Sequence, residues 1–279
     1  MNERSMSDML DPSTWASVTR HARLWRACFS LGLVREAQFR ANAITTVVLG
    51  LIQVGIGLIP ILLLYSYTAE VRGWSQADVI VLLGIHGAMT GLLSMLIGGN
   101  MWAMTEYVIR GGFDHLLIRP VNTQFHVTTR WIRPDQAFNV IAGLVVAGVG
   151  IARTGTVPGA GDLIQATVVF LAGFVLIACA WSALAYLAFW MHSVWTIIMF
   201  FQDVMQAGRY PVTFFPGAVR VLFTAIVPLA FATTFPAQAI TDGISWWLVG
   251  ASVAFAIVAV ALLRLLWNHA VRRYSSASS

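Results

Sequence analysis

The sequence predicts an all-α, polytopic membrane protein, and three observations support this prediction. Hydrophobic residues make up 58% of the 279 residues and charged residues only 10%, whereas soluble domains carry about 25% charged residues. Several apolar runs approach the length of about 20 residues that a helix needs to cross a bilayer. The 17 basic residues are all arginine, and they cluster between the apolar runs. This composition excludes a soluble globular enzyme.

The N-terminal region is predicted to lie outside the bilayer. Residues 1–18 are polar and form a tail. Residues 19–42 alternate arginines with apolar side chains such as Leu24, Trp25 and Phe29. This pattern is typical of an amphipathic helix that lies in the membrane interface. An ordinary solvated helix before the first span is the alternative.

Residues 43–268 form the predicted membrane domain of six transmembrane helices, and residues 269–279 form a C-terminal tail. The spans are predicted at about 43–67, 77–103, 135–152, 164–190, 215–238 and 245–267. Internal proline and glycine are compatible with these spans, because neighbouring helices satisfy the freed backbone groups. The apolar region 164–207 is too long for one span and too short for two with a turn. We therefore expect 194–207 to be an interfacial helix on the cytoplasmic side.

The arginines predict the orientation of the chain. With six spans and a cytoplasmic N-terminus, Arg72 and Arg153 fall in outer loops and the other 15 arginines fall inside. Cytoplasmic loops of membrane proteins carry this excess of basic residues. Both termini are therefore predicted to be cytoplasmic. A seventh span near 194–212 would move the arginines of the C-terminal region outside and spoil the distribution.

The cytoplasmic loop between the second and third spans is the most informative segment. Its residues 106–121 contain Gly111 and Gly112, which permit a sharp bend, and Pro120, which ends a helix. A short helix over 113–118 between these points is suited to docking into a groove of another protein. A plain interfacial turn that connects two spans is the alternative.

Polar and small side chains form a stripe on the second predicted span. His86, Thr90, Ser94 and Gly98 are spaced four residues apart, so they share one face of a helix. Gly87 and Gly91 flank the stripe and favour close helix packing. An ionisable residue inside a membrane indicates function, although a histidine satisfied by a neighbouring helix explains it equally. The candidate residues for a substrate pathway are Gln53, His86, Thr90, Ser94 and Asn100.

Several short motifs resemble one family. The string Gly-Phe-Asp-His-Leu-Leu-Ile-Arg-Pro-Val at 112–121 is similar to a signature of the type-2 ATP-binding-cassette (ABC-2 family) permeases, in their six-span branch. Arg209-Tyr210-Pro211, and the Ile-Val-Pro and Phe-Pro-Ala strings at 226–228 and 235–237, resemble the second pattern of that family. The resemblance covers about residues 20–268. Phe113 departs from it, since a leucine is expected at this position.

The resemblance implies the permease subunit of an ATP-driven exporter. A second permease, either the same or a homologous chain, would complete the substrate pathway, and cytosolic ATPase subunits would hold ATP and magnesium. The chain contains no lysine, so it has no phosphate-binding loop and no ATPase site or cofactor of its own is expected. Segment 106–121 would be the coupling helix. The implied coupling residues are Arg110, Gly111, Gly112, Asp114, His115, Leu116, Leu117, Arg119 and Pro120.

The sequence also bears on other partners and functions. We expect membrane lipids as partners, no nucleic acid, and a location in the bacterial inner (plasma) membrane. A secondary transporter or channel that is not driven by ATP is the main alternative, but no carboxylate lies in mid-span to couple an ion. A lipid-processing enzyme is a third class, and no catalytic or metal-binding spacing supports it. Asp78 and Asp162 fall at predicted helix starts, where an acid is favoured.

Overall fold

The computed structural model describes residues 15–38, 40–117, 122–191 and 193–273. These residues are almost entirely helical, which confirms the all-α polytopic class. Helices long and apolar enough to cross a membrane cover Ile44–Tyr65, Gln76–Ile109, Pro134–Thr154, Ala160–Phe189 and Trp246–Arg273. They coincide with the first four predicted spans and the last. A bent pair of helices lies where the fifth was expected.

The elements follow one another with short connections. In chain order they are α1 (Trp15–Gln38), α2 (Arg40–Tyr65), β1 (Glu70–Val71), β2 (Trp74–Ser75), α3 (Gln76–Leu93), α4 (Gly99–Ile109), α5 (Asp114–Leu117), α6 (Thr123–Thr129), α7 (Ala137–Thr154), α8 (Ala160–Tyr186), α9 (Val194–Met205), α10 (Gly217–Val221), α11 (Phe235–Thr241) and α12 (Trp246–Arg273). π-helical segments occur at Ser94–Gly98, Leu222–Ile226 and Ala230–Thr234, and 3₁₀ turns at Pro134–Gln136, Leu187–Phe189, Gln206–Arg209 and Val212–Phe214. β1 and β2 form an antiparallel hairpin.

Acidic residues define the starts of two long helices. The Ser75 backbone N–H donates to the Asp78 carboxylate at 2.9 Å, and the Asp78 N–H donates back to the Ser75 hydroxyl. The Gly159 N–H donates to Asp162 at 2.9 Å. Each carboxylate caps free backbone donors at the positive end of a helix dipole. The expected placement of both acids at helix starts is confirmed.

The two ends of the bundle are formed by different connections between the helices. At the hairpin end, a shallow depression is lined by residues from the β-hairpin connection, the α7–α8 connection and the end of α11, including Ala69, Arg153 and Thr241. At the loop end, Trp102 of α4 stacks on Trp195 of α9 with ring centroids 4.6 Å apart. We call these the hairpin end and the loop end below.

The predicted fifth span at 215–238 is observed as two helical stretches with a sharp bend between them. The helical stretches Gly217–Ile226 and Ala230–Thr241 are bent by 78° at Pro228, a residue that cannot donate a backbone hydrogen bond. The Arg72 guanidinium at the hairpin end donates to the Thr213 carbonyl at 2.6 Å, and Thr241 lies at the same end. Since both ends of the bent pair lie at the hairpin end, the pair enters the bundle and returns.

The segment 194–207, which was predicted to be an interfacial helix, is observed as a helix that leads away from the loop end of the bundle. α9 begins at the loop end and continues through the 3₁₀ turn Gln206–Arg209 towards Thr213 at the hairpin end. At about 1.5 Å per α-helical residue and about 2.0 Å per 3₁₀ residue, this segment rises about 26 Å, close to the roughly 30 Å hydrocarbon thickness. This length favours α9 with its 3₁₀ continuation as a crossing in place of the bent pair. The N-terminus of α2 and the C-terminus of α12 then both lie at the loop end.

The predicted interfacial helix at 19–42 is observed as α1, displaced by a few residues. The guanidinium of Arg35 lies 4.5 Å from the ring of Trp131, near the start of the third span. Gly32 allows a close approach, because a Cβ there would lie 3.0 Å from the Ile132 carbonyl. The helix is therefore docked against the loop end of the bundle.

The centre of the bundle is α3, whose apolar window is 61% buried, against 17% for the first, third and last spans. α3 packs against α7 with its backbone almost in contact. A Cβ on Gly91 would lie 2.7 Å from the Val140 nitrogen, and one on Gly150 would lie 2.6 Å from the Val81 nitrogen. Small residues make this approach possible, which is the usual means of joining helices in lipid.

Candidate functional site: a polar cavity and a coupling segment

A polar cavity of about 450 Å³ lies between α2, α3, α7 and the 3₁₀ turn after α9. Gln53 of α2, His86 and Thr90 of α3 and Ser94 of the following π-helical segment all line it. The structure therefore brings together four of the five residues predicted for a substrate pathway. The same helix supplies packing glycines and cavity-lining polar groups, so the two interpretations of its stripe are compatible.

Asn100, the fifth predicted residue, is fully buried away from the cavity. Its amide nitrogen donates to the carbonyls of Leu96 at 2.8 Å and Trp131 at 3.2 Å. Its carbonyl oxygen accepts from the Trp131 N–H at 2.6 Å. These bonds join the second span to the chain that enters the third. The role of Asn100 in the structure is to hold these segments together.

His86 is buried, with 3% of its surface exposed. Its Nδ1 has no hydrogen-bond partner among the described residues. It lies beside the 3₁₀ turn after α9, because a Cβ on Gly208 would come within 3.1 Å of Nδ1. A buried polar atom without a partner costs free energy, so this nitrogen marks a place where a bound molecule or water would be stabilising.

Arg209 is a cavity residue that the sequence did not predict for the substrate pathway. Its guanidinium lines the cavity and donates to the Gln53 side-chain carbonyl at 2.8 Å. The sequence signal was present, since Arg209 begins one of the motifs that resemble the ABC-2 pattern. It was assigned to a cytoplasmic loop because 194–207 was expected to lie in the interface.

A second arginine at the cavity is neutralised. Arg133 donates to the Asp135 carboxylate at 2.7 Å, and Thr46 and Gln136 donate to the same carboxylate. Glu36 of α1 lies close enough to feel this carboxylate. Burial, and secondly the negative charge of Asp135, raise the pKa of Glu36 above its usual range. The hydrogen bonds of Asp135 join α2 to the start of the third span, and its negative charge balances that of Arg133.

The predicted coupling segment, of which the structure describes residues 106–117, is anchored by apolar side chains that point into the protein. Phe113 is fully buried and meets Phe189 and Trp267 edge-on, with centroids 5.2 and 6.0 Å apart. Leu116 is only 3% exposed, so its side chain is an internal anchor of the segment. Gly111 has a φ of +71°, the conformation that glycine adopts readily.

The polar side of the coupling segment is available to a partner. The side chain of Arg110 is 78% exposed and pairs with Glu106 at 3.1 Å, one helical turn away. His115 is exposed and Asp114 is half-buried. Leu117 ends the short helix α5. Arg119 and Pro120, which were also predicted for coupling, lie outside the described residues.

No group of three or more metal-ligating side chains occurs within the part of the chain that the structure describes. The family model for ABC-2 family transporter proteins matches residues 51–278, well over half of the chain. The chain belongs to the ABC-2 family of transporter proteins. No match is found among curated proteins or solved structures. The matched residues include α3, which lines the cavity, and segment 106–121.

Proposed function

We propose that this ABC-2 permease is the membrane subunit of an ATP-driven exporter in a bacterial inner membrane. Two such permeases would form the substrate pathway, and separate ATPase subunits would bind ATP and magnesium. The observation that supports this most directly is the family match across residues 51–278. Since the chain contains no lysine, the ATP-driven function that we propose requires a partner that carries its own phosphate-binding loop.

The packing at the loop end supports a mechanical link between that partner and the spans. A load on the exposed side of α5 would pass through Phe113 to Phe189, at the end of the fourth span, and to Trp267 of α12. Large aromatic rings in a close-packed core transmit displacement because they have little free volume around them. Movement of α5 would therefore shift two spans together.

The second span offers a direct route from the coupling segment to the cavity. α3, the π-helical segment Ser94–Gly98 and α4 form one continuous helical rod from residue 76 to 109. The rod carries His86 and Thr90 at the cavity, and its last residues, 106–109, are the first residues of the coupling segment. π-helical insertions are uncommon and concentrate at functional sites. We propose that this segment lets α4 tilt relative to α3 when ATP closes the partner.

The partnership is tested by co-isolation. The permease is purified in a mild neutral detergent together with an ATPase encoded beside it, and the bound ATPase is quantified. We expect His115→Glu to reduce the bound ATPase severalfold, because it places a negative charge on the exposed docking face. Val157→Glu is the matched control, since Val157 is 94% exposed at the hairpin end; we expect it to leave the bound ATPase unchanged.

A complete absence of ATPase from the wild-type preparation would contradict the proposal. Equal binding by His115→Glu would contradict the assigned docking face. Proton-driven transport by liposomes that contain this chain alone would favour the secondary transporter instead.

A further inference from the structure

Arg209 presents a positive charge to the cavity without an acidic partner. Neither of the ion pairs within the described residues involves it, and its guanidinium donates a hydrogen bond to the neutral amide of Gln53. No aspartate or glutamate appears among the described residues that line the cavity. A charged side chain at membrane depth is costly and is ordinarily paired. An anion in the cavity would supply the missing charge.

Arg133 provides an internal comparison in the same cavity. Its charge is compensated by Asp135 at 2.7 Å, and Thr46 and Gln136 complete the hydrogen bonds of that carboxylate. Arg133 therefore has a structural network built around it, whereas Arg209 has one neutral partner. Arg209 is therefore the cation at this cavity whose charge a bound anion would balance.

The surroundings of Arg209 add hydrogen-bonding groups suited to an oxyanion and its neighbours. Nδ1 of the buried His86 is unpartnered among the described residues, and the adjoining Gly208 places the turn that carries Arg209 against it. The Thr90 hydroxyl donates to the His86 carbonyl at 2.9 Å, so its lone pairs remain available to accept from a ligand hydroxyl. Ser94 and Gln206 also line the cavity.

We propose that the cavity binds the carboxylate or phosphate group of an anionic substrate, with the Arg209 guanidinium as its principal contact. A guanidinium presents a planar fork of donors that matches either oxyanion. The cavity, at about 450 Å³, is the size of a small-molecule site. It accommodates a small anion or a lipid headgroup whose chains remain in the bilayer. This inference deepens the proposed export function by naming the substrate class.

Binding is tested on the purified permease alone, in a neutral maltoside detergent and without ATPase. One arm measures dioleoyl phosphatidic acid by native mass spectrometry, with dioleoyl phosphatidylcholine as the control lipid. The other arm measures the shift in thermal unfolding caused by glycerol 3-phosphate at constant ionic strength, with glycerol as the control. A response in the lipid arm identifies a headgroup as the source of the anion, and a response in the second arm identifies a soluble anion.

Arg209→Gln should weaken binding in the responding arm by about tenfold or more, the usual effect of losing a charge-assisted contact. Arg209→Lys should bind more weakly than wild type but more strongly than Arg209→Gln, because it keeps the charge and loses the fork of donors. Arg264→Gln, which removes an exposed charge at the loop end, should bind like wild type, and this separates the cavity from general attraction of anions. Equal unfolding temperatures without ligand show that the variants are folded.

The inference is overturned when Arg209→Gln binds as strongly as wild type in both arms, when neither arm shows binding, or when the neutral analogues bind equally well. Each of these results leaves the ATPase partnership standing, because the assay contains no ATPase. Conversely, Arg209-dependent anion binding stands even when no ATPase is found to associate.

Discussion

At the scale of single residues, Phe113 shows how a departure from a family pattern is absorbed. It is fully buried between Phe189 and Trp267. Phe113→Ala should lower the free energy of unfolding by about 3 kcal/mol, because it deletes a ring from a packed core and leaves a cavity. The measurement is thermal or denaturant unfolding of the purified chain in detergent.

Phe113→Leu is the matched control, since it restores the expected family residue and keeps most of the volume. Its cost should stay below about 1.5 kcal/mol. A loss for Phe113→Ala as small as that expected for Phe113→Leu would show that the ring is not the anchor of the coupling segment.

Helical spacing was enough to predict the residues of the cavity that lie on one rod. His86, Thr90 and Ser94 share a face because of the helix period alone, and the structure places all three at the cavity. Arg209 could not be placed in this way. Its contact with Gln53 joins residues 156 positions apart in the sequence. The sequence alone does not show that the turn after α9 brings these two residues together.

At the scale of elements, the junction of α3 and α7 depends on glycine at particular positions. A Cβ on Gly143 would collide with the Ala88 backbone, and one on Gly148 in the same helix would meet nothing within 4 Å. Gly143→Ala should therefore lower the thermal unfolding midpoint, because the helices have to separate. Gly148→Ala should leave the midpoint unchanged or raise it slightly, since alanine is favoured over glycine by about 1 kcal/mol in a helix.

Both variants add the same methyl group to the same helix, so the comparison removes any general effect of the substitution. A midpoint for Gly143→Ala equal to that of Gly148→Ala would mean that the two helices do not pack closely in the bilayer.

Apolar length predicted where most helices lie but not which of them cross. The bent pair Gly217–Ile226 and Ala230–Thr241 is as apolar as a span. Its second half is buried against α3 and α8, whereas its first half exposes apolar side chains such as Val221 and Ile226. Pro228 was visible in the sequence, but proline is tolerated within transmembrane helices, so its presence did not decide the direction of the chain. α9 has only 12 residues, which is shorter than a membrane crossing needs. The 3₁₀ turn that lengthens it has no sequence signature, so the sequence did not predict a crossing here.

At the scale of the whole molecule, a path with α9 as a crossing and the bent pair as a re-entrant segment keeps both termini on the same side of the membrane. The number of crossings is unchanged, so the N-terminus of α2 and the C-terminus of α12 both stay at the loop end. Arg220 moves to the hairpin end, where its guanidinium donates to the Thr213 carbonyl at 3.0 Å, alongside Arg72. The loop end retains most of the arginines, and this excess predicts that it faces the cytoplasm.

Cysteine accessibility in intact cells distinguishes the two paths of the chain. In a Cys28→Ser, Cys179→Ala background, Gly217→Cys should react with a membrane-impermeant maleimide from the same side as Val157→Cys, because both positions are exposed at the hairpin end. His115→Cys, exposed at the loop end, should react only after the membrane is permeabilised. Labelling of Gly217→Cys together with His115→Cys would restore 215–238 as a span and remove Arg209 from membrane depth, and the anionic cavity would then lose its cation.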